Sequence, residues 1–125
     1  MRSMLKSKIQ RARITGLNID YEGSIAIDER LLKEADILPY EQVQVLNLNN
    51  AARFTTYAIK GGPGEICLNG AAARLGAKGD IVIILTYCQL PDAEAADFIP
   101  RIVHVDARNN LVSVDDGMPA AVLPF

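Results

Sequence analysis

The sequence contains one histidine, two cysteines and no tryptophan in 125 residues, and each scarcity argues against a class of functional site. One histidine and two separated cysteines, Cys67 and Cys88, do not supply the ligand cluster that a protein-bound metal requires, so we expect no metal site. A Ser-His-Asp triad would need His104 and Asp106 to meet a distant serine, and a histidine on an edge strand is the preferred interpretation. The GxSxG, Walker and GxGxxG motifs are also absent.

Long hydrophobic runs are missing as well. The longest purely aliphatic run, Ile81 to Leu85, is too short to span a bilayer. No apolar stretch of the kind found in secretory signals follows the N-terminal charges. Both cysteines lie in apolar, strand-like runs, which favours packed thiols over a disulfide. We therefore expect no membrane association and a reducing, cytoplasmic location.

Acidic residues are absent from the first 19 positions, although the whole chain has a net charge of −2. The positive charges of this segment are Arg2, Lys6, Lys8, Arg11 and Arg13. Such a segment is compatible with a nucleic-acid arm, an organelle transit peptide, a cationic strand lining an anion site, or a solvated strand face. Because the rest of the chain is acidic, nucleic-acid binding is not favoured.

Short strands dominate the hydrophobic pattern, and half of the residues are apolar, so we expect one domain with its own core. Strands are predicted over residues 5–14, 17–22, 24–27, 42–48, 53–59, 66–68 and 81–87, and a hairpin over 102–114 that turns at Asn109-Asn110. Short helices are predicted over 29–35, capped by Asp28, over 69–76 and after Pro91. This pattern predicts a small closed barrel in which 81–87 is a central strand.

Chemistry that needs no histidine is available at Gly23-Ser24, in the stretch YEGSIAID. A serine hydroxyl can attack the carbonyl of the preceding residue, and glycine suits that position because it tolerates a strained backbone and leaves its carbonyl uncrowded. Elimination of the resulting ester, followed by hydrolysis of the dehydroalanine, would leave a pyruvoyl group, which is a built-in electrophile. A simple β-bulge is the alternative interpretation of the same pair.

Four blocks of sequence, taken together and in this order, resemble the aspartate 1-decarboxylase family of the pantothenate pathway. The blocks are YEGS with the following AID, RFTTYAI from Arg53, NGAAA from Asn69, and GDIVII from Gly79. The N-terminal Met4-Leu5 with Lys8 and Arg11 is similar too, and the similarity extends to about Pro91. The resemblance implies a pyruvoyl-dependent enzyme that converts L-aspartate into β-alanine and CO2. It also implies a mainly β fold, a six-stranded double-psi β-barrel with short helices, assembled as a homotetramer with active sites at subunit interfaces.

The resemblance further implies that the single domain cleaves itself between Gly23 and Ser24. The products would be a small chain of residues 1–23 and a large chain of residues 24–125, in which Ser24 has become the pyruvoyl group. Thr56 matches a residue of the family that assists cleavage and contacts substrate. Whether cleavage is spontaneous or requires a maturation factor is left open.

The remaining site residues are also carried over from the resemblance. Tyr57 matches the proton donor that acts after CO2 is lost. The expected substrate contacts are Lys8, Arg53, Thr56, Gly70, Ala71 and Ala72. Lys8 and Arg53 suit the two carboxylates of aspartate, because a guanidinium can grip one carboxylate at two points while an ammonium acts as a point charge. One departure is Gln10, where many relatives carry a histidine.

Two other interpretations stay open: a small nucleic-acid-binding or regulatory barrel, and a relative that keeps the fold without processing itself. The joint presence of the five residues that the family chemistry uses favours the enzyme. These residues are Lys8, Ser24, Arg53, Thr56 and Tyr57.

Overall fold

The computed structural model describes residues 1–116, and over this range the chain is mainly β, as predicted. The strands are β1 Arg2–Arg13, β2 Gly16–Asn18, β3 Ser24–Asp28, β4 Gln42–Asn47, β5 Arg53–Gly61, β6 Ile66–Asn69, β7 Ile81–Leu90, β8 Arg101–Val105 and β9 Leu111–Asp115. Three short helices are α1 Glu29–Glu34, a 3₁₀ helix Gly70–Leu75 and α2 Asp92–Ala95. The last part of the predicted large chain, residues 117–125, lies outside the described residues.

The nine strands of residues 1–116 form one hydrogen-bonded sheet in the order β2-β6-β3-β5-β4-β7-β1-β8-β9. β7 lies between β4 and β1, which confirms its predicted central position. The prediction of an edge strand for His104 is wrong, because β8 lies between β1 and β9. The long strand β1 also pairs with β8, in parallel, along its other edge. The hairpin predicted over residues 102–114 does not by itself reveal this pairing. This sheet is not closed, and the six-stranded double-psi barrel stays a prediction.

Cross-strand register separates an aliphatic face from a more polar one. Phe54, Val45, Ile84 and Ile9 are successive partners across β5, β4, β7 and β1, and they form a row on the core side. Partners in a sheet point to the same face, and the next residue along each strand points to the other. The neighbouring row therefore lies on the opposite face; it consists of Thr55, Gln44, Leu85 and Lys8, and we name it the outer row.

Several strand boundaries differ from the predicted ones, among them those of β1, β2 and β7. β1 begins earlier than expected, and its register against β7 shifts between Ile9 and Ala12, where Arg11 has a φ of 60°. This shift is a β-bulge. The strand predicted over 17–22 ends at Asn18, because the Asn18 side chain accepts a hydrogen bond from the backbone N–H of Asp20 and bends the chain.

Asp28 joins β3 to α1 and caps that helix, as predicted. Its buried carboxylate accepts hydrogen bonds from the backbone N–H of Arg30 at 2.8 Å, the Arg30 guanidinium at 2.8 Å and the backbone N–H of Gly64 at 2.7 Å. Burial raises the pKa of Asp28, but the bonds from Arg30 and Gly64 and the charge of Arg30 outweigh it, so the pKa lies below its ordinary value. The C-terminal end of β3 is therefore firmly anchored.

Candidate active site

Ser24 is the first residue of β3, and its side chain is buried. It pairs with Asn69 of β6, and the Asn69 Nδ2 donates a hydrogen bond to the Ser24 Oγ at 3.0 Å. The Ser24 hydroxyl in turn donates to the carbonyl of Glu22 at 3.3 Å. These two contacts hold the hydroxyl next to the Gly23-Ser24 peptide bond. Asn69 is a site residue that the sequence analysis missed, although it is the first residue of the NGAAA block.

Gly70 packs directly against the predicted cleavage point. Its φ of 60° lies in the left-handed region, and a Cβ built on it would come within 2.7 Å of both N and Cα of Gly23 and 2.8 Å of the carbonyl oxygen of Tyr21. Real Cβ atoms do not approach other atoms so closely, so only glycine fits this position. The backbone of Gly70 is therefore in direct contact with Gly23.

The 3₁₀ helix Gly70–Leu75 confirms the short helical segment predicted at this point. Its first residue is Gly70, so the predicted substrate-binding backbone begins next to Gly23. Of the two alanines that follow, Ala71 is exposed and Ala72 is buried. Ala71 is therefore the exposed residue of this segment closest to the predicted cleavage point.

Asn69 is held in place from its other side by Cys67, whose Sγ lies 3.4 Å from the Asn69 Oδ1. Burial raises the pKa of the Cys67 thiol, and the nearby Glu65 carboxylate raises it further, so the thiol stays protonated and donates to the amide oxygen. The amide NH2 group then faces Ser24. Cys67 and Cys88 are both free and half-buried, which confirms the prediction of packed thiols.

Tyr57 and Thr56 point to opposite faces of β5. Ile25 pairs with Ala58 in the parallel β3–β5 ladder, so the residue before each, Ser24 and Tyr57, lies on the other face of the sheet. Thr56 shares the face of Ile25 and Ala58. Within residues 1–116 the Thr56 hydroxyl forms no hydrogen bond with Gly23 or Ser24. One chain therefore places Tyr57, but not Thr56, on the face of Ser24.

Lys8 and Arg53 lie several strand or residue steps from the middle of β5 within one chain. Along the outer row, Lys8 is separated from Thr55 of β5 by three interstrand steps, about 14 Å at the usual strand spacing. Arg53 is exposed and precedes Tyr57 by four residues, about 13 Å along an extended strand. Among residues 1–116, no carboxylate forms an ion pair with Lys8 or Arg53. Both cations are therefore available to an anion that residues 1–116 do not provide.

A cavity of about 580 Å³ lies away from this site. Gln44, Thr55 and Tyr87 are among its lining residues, whereas Ser24 and Gly70 are not.

Within residues 1–116, no three His, Cys, Asp or Glu side chains are grouped so that they could hold a metal ion. No helix in the same range has the length and apolar character required to cross a bilayer.

These observations define a small β domain built around a buried serine at a Gly-Ser bond. A family model described as aspartate decarboxylase matches residues 1–112. The chain belongs to the aspartate decarboxylase family.

Similar curated proteins cover almost the whole chain. The aspartate 1-decarboxylase of Syntrophobacter fumaroxidans is 59% identical over 114 residues, which are 90% of this chain and 92% of the relative. That of Thermoanaerobacter pseudethanolicus is 55% identical, over 90% of this chain and 98% of the relative. That of Pelotomaculum thermopropionicum is 57% identical, over 92% of this chain and 89% of the relative.

Proposed function

We propose that this protein is a self-processing enzyme that removes the α-carboxylate of L-aspartate and forms β-alanine and CO2, which supplies pantothenate synthesis. The names of its relatives give the reaction. The observation that carries the proposal is the hydroxyl of Ser24, buried and hydrogen-bonded beside a glycine against which Gly70 is packed. A Gly-Ser pair in a simple β-bulge does not require that arrangement.

Maturation begins when the Ser24 Oγ attacks the carbonyl carbon of Gly23 and replaces the amide bond with an ester. β-Elimination then releases the Gly23 carboxylate and leaves a dehydroalanine at position 24. Water hydrolyses this group, ammonia leaves, and the new N-terminus is a pyruvoyl group. Asn69 positions the attacking oxygen, because its amide donates to the Oγ while the hydroxyl itself donates to the carbonyl of Glu22.

The residues around position 24 fit a pyruvoyl group, because a small planar group replaces a serine whose side chain is already buried and has an amide donor nearby. A pyruvoyl ketone supplies an electrophile for the substrate amine and a sink for the electrons left by CO2. Tyr57, on the same face, returns a proton to the α-carbon. The backbone of Gly70, Ala71 and Ala72 lines the substrate side.

The substrate-binding cations come from a neighbouring copy of the chain in a homotetramer. Counted along the sheet, the backbone of Lys8 is about 14 Å from Thr55 and that of Arg53 about 13 Å from Tyr57, and neither cation has a carboxylate partner among residues 1–116. A second copy can place both cations against the carboxylates of aspartate, where an unpaired guanidinium gives a two-point grip. Thr56 faces away from Ser24 in its own chain, so we assign its role in cleavage and substrate contact to the same interface.

The test is denaturing mass spectrometry of the purified protein together with an assay for β-alanine. We expect residues 1–23 as one fragment and residues 24–125 as another, lighter by one ammonia than a chain that begins with serine. Ser24→Ala should remain one chain and form no β-alanine. Cleavage of the alanine variant at this bond, or β-alanine formation without cleavage, would refute the proposal.

A maturation factor is tested by the same spectrum. Protein synthesised in a purified translation system contains no such factor, so complete cleavage there would show that the chain alone suffices, and a persistent precursor would show that it does not. The cytoplasmic location stays a prediction.

A further inference from the structure

The loop between α1 and β4 contains a tyrosine in an unfavourable backbone conformation. Tyr40 has a φ of 71°, in the left-handed region that bulky side chains rarely adopt, because Cβ then approaches the following carbonyl oxygen. Its side chain is 78% exposed, so burial in the core does not explain the residue. Strain of this kind persists only where the surroundings impose it, and it is typical of functional sites.

Hydrogen bonds to neighbouring residues impose this conformation on Tyr40. The Tyr40 N–H donates to the carbonyl of Ala58 at 2.7 Å, and the Ala58 N–H donates to the carbonyl of Glu41 at 3.0 Å. The Glu41 carboxylate is fixed in turn by Lys6 Nζ at 2.7 Å and by the backbone N–H of Leu38 at 2.9 Å. The loop is therefore clamped onto β5 at Ala58, the residue that follows Tyr57.

This clamp brings two aromatic rings together. The ring centroids of Tyr40 and Tyr57 lie 6.2 Å apart, with 35° between their planes. The separation is within the range in which aromatic pairs attract one another. Tyr57 is only half-buried, so its own environment leaves the ring free on one side. The contact with Tyr40 restricts the positions that this ring can adopt.

We propose that Tyr40 is a positioning residue for Tyr57: the clamped loop holds the Tyr40 ring against the Tyr57 ring and so keeps its phenol aimed at the substrate carbon. This inference rests on the proposed function, in which Tyr57 returns the proton. A proton donor acts efficiently only when its reach and direction are fixed before the reaction. Tyr40 itself donates no proton and contacts no substrate.

The test compares two substitutions of Tyr40 that separate its ring from its backbone. Tyr40→Asn removes the ring, but asparagine tolerates the left-handed conformation, so the loop should keep its shape and thermal stability. Tyr40→Phe keeps the ring and removes only the hydroxyl. We expect both variants to self-cleave like the parent, and we expect kcat to fall about 2- to 10-fold in Tyr40→Asn, in line with the loss of one aromatic pair, with KM unchanged. Tyr40→Phe should turn over at the parent rate.

A matched control is Leu38→Asn, which removes an exposed apolar side chain from the same loop without touching the ring pair. It should not change kcat. A double-mutant cycle gives the decisive readout, because a residue that acts through the Tyr57 hydroxyl has nothing left to position in Tyr57→Phe. The further loss caused by Tyr40→Asn should therefore disappear in that background.

Two results would overturn the inference: an unchanged kcat in Tyr40→Asn, or an equal loss in the parent and Tyr57→Phe backgrounds. Failure of the proposed function looks different, because then the parent itself forms no β-alanine. In that case the ring resonances of Tyr57 in the parent and in Tyr40→Asn still report the contact, and identical resonances would refute it.

Discussion

The junction of β3 and β6 and the outer row differ in how complete they are within one chain. At the junction, Ser24 has a hydrogen-bond donor in Asn69, and Gly23 has the backbone of Gly70 against it. In the outer row, by contrast, Lys8 forms no ion pair with any carboxylate of residues 1–116. The difference supports the proposal that one chain positions the Gly23-Ser24 bond and the attacking hydroxyl, whereas substrate binding depends on residues from a second copy.

Tyr57→Phe should have the largest effect on turnover without any effect on cleavage. The ring that contacts Tyr40 remains, so the protein should still cleave at Ser24, but reprotonation of the α-carbon loses its donor. We expect turnover to fall by about 10² to 10⁴, the usual contribution of a placed general acid. Quantifying β-alanine by chromatography measures this effect. Formation at the parent rate would mean that the proton comes from elsewhere.

Gly70→Ala should have the next largest effect, and this time on cleavage. The added Cβ would meet Gly23 N and Cα at 2.7 Å, so the Gly23-Ser24 bond must move. A displacement of about 1 Å can cost on the order of 10²-fold in rate, and the uncleaved precursor should accumulate. Time-resolved mass spectrometry after synthesis measures the rate.

Gly79→Ala is the matched control for the backbone strain in Gly70→Ala. Gly79 also has a positive φ, 94°, but a Cβ there would meet nothing within 4 Å. This variant should cleave at the parent rate. Equal slowing of both variants would show that the strain, and not the contact with Gly23, controls processing.

Arg53→Lys should affect substrate binding alone, since Arg53, like Lys8 of the outer row, forms no ion pair with a carboxylate of residues 1–116. An ammonium cannot reproduce the two-point grip of a guanidinium on a carboxylate, and we expect KM for aspartate to rise about 10- to 100-fold with cleavage unchanged. Steady-state kinetics on the cleaved protein measures it. Arg108→Lys, in an exposed turn, is the control and should leave KM unchanged. A cleavage defect in Arg53→Lys would contradict the division between the two regions.

Asp28→Asn should have the smallest effect on turnover, because it weakens only the anchor of β3. The residues at the junction of β3 and β6 and the substrate-binding cations stay in place. An amide cannot accept from both Arg30 and Gly64 as a carboxylate does, so the free energy of unfolding should fall by about 1 to 3 kcal/mol at pH 7. Urea denaturation measures the difference, and Asp97→Asn, at an exposed position, should show none.

The pH dependence of that difference follows from the lowered pKa of Asp28. The stabilisation by the carboxylate is fully present above the ordinary value of 3.8 and is lost as the pH falls through the lower pKa of the folded protein. The parent and Asp28→Asn should therefore become more alike in stability below about pH 4. A difference that stays constant down to pH 2 would mean that the charge of Asp28 is not what stabilises the anchor.

Local patterns in the sequence predicted the elements that depend on near neighbours. The alternation from Gln42 to Val45 places its valines in the core, as expected, and Asp28 caps α1. Contacts between distant segments were not predictable in this way. Asn69 meets Ser24 only because β3 and β6 pair across 45 positions, and β8 pairs with β1 in parallel.

The conformation of Tyr40 was also beyond the sequence analysis, for a physical reason. Turn signals depend on residues that favour left-handed or bent backbone, and tyrosine is not one of them. Its conformation is imposed by hydrogen bonds that join Tyr40 and Glu41 to Ala58, a residue of the distant strand β5. The candidate site was therefore predictable as a set of residue types at known positions, whereas the contacts that orient those residues required the fold.

The most direct test of the central claim combines two inactive variants in one assembly. Lys8→Ala lacks a cation but still forms the group at position 24, and Ser24→Ala keeps the cation but cannot cleave. Co-expressed with different affinity tags and purified on both, they should form β-alanine, because sites with Ser24 from one copy and Lys8 from the other are intact. Ser24→Ala combined with Tyr57→Phe should stay inactive, since those two residues serve the same site from one chain. No activity in the first mixture, or equal activity in both, would contradict the account.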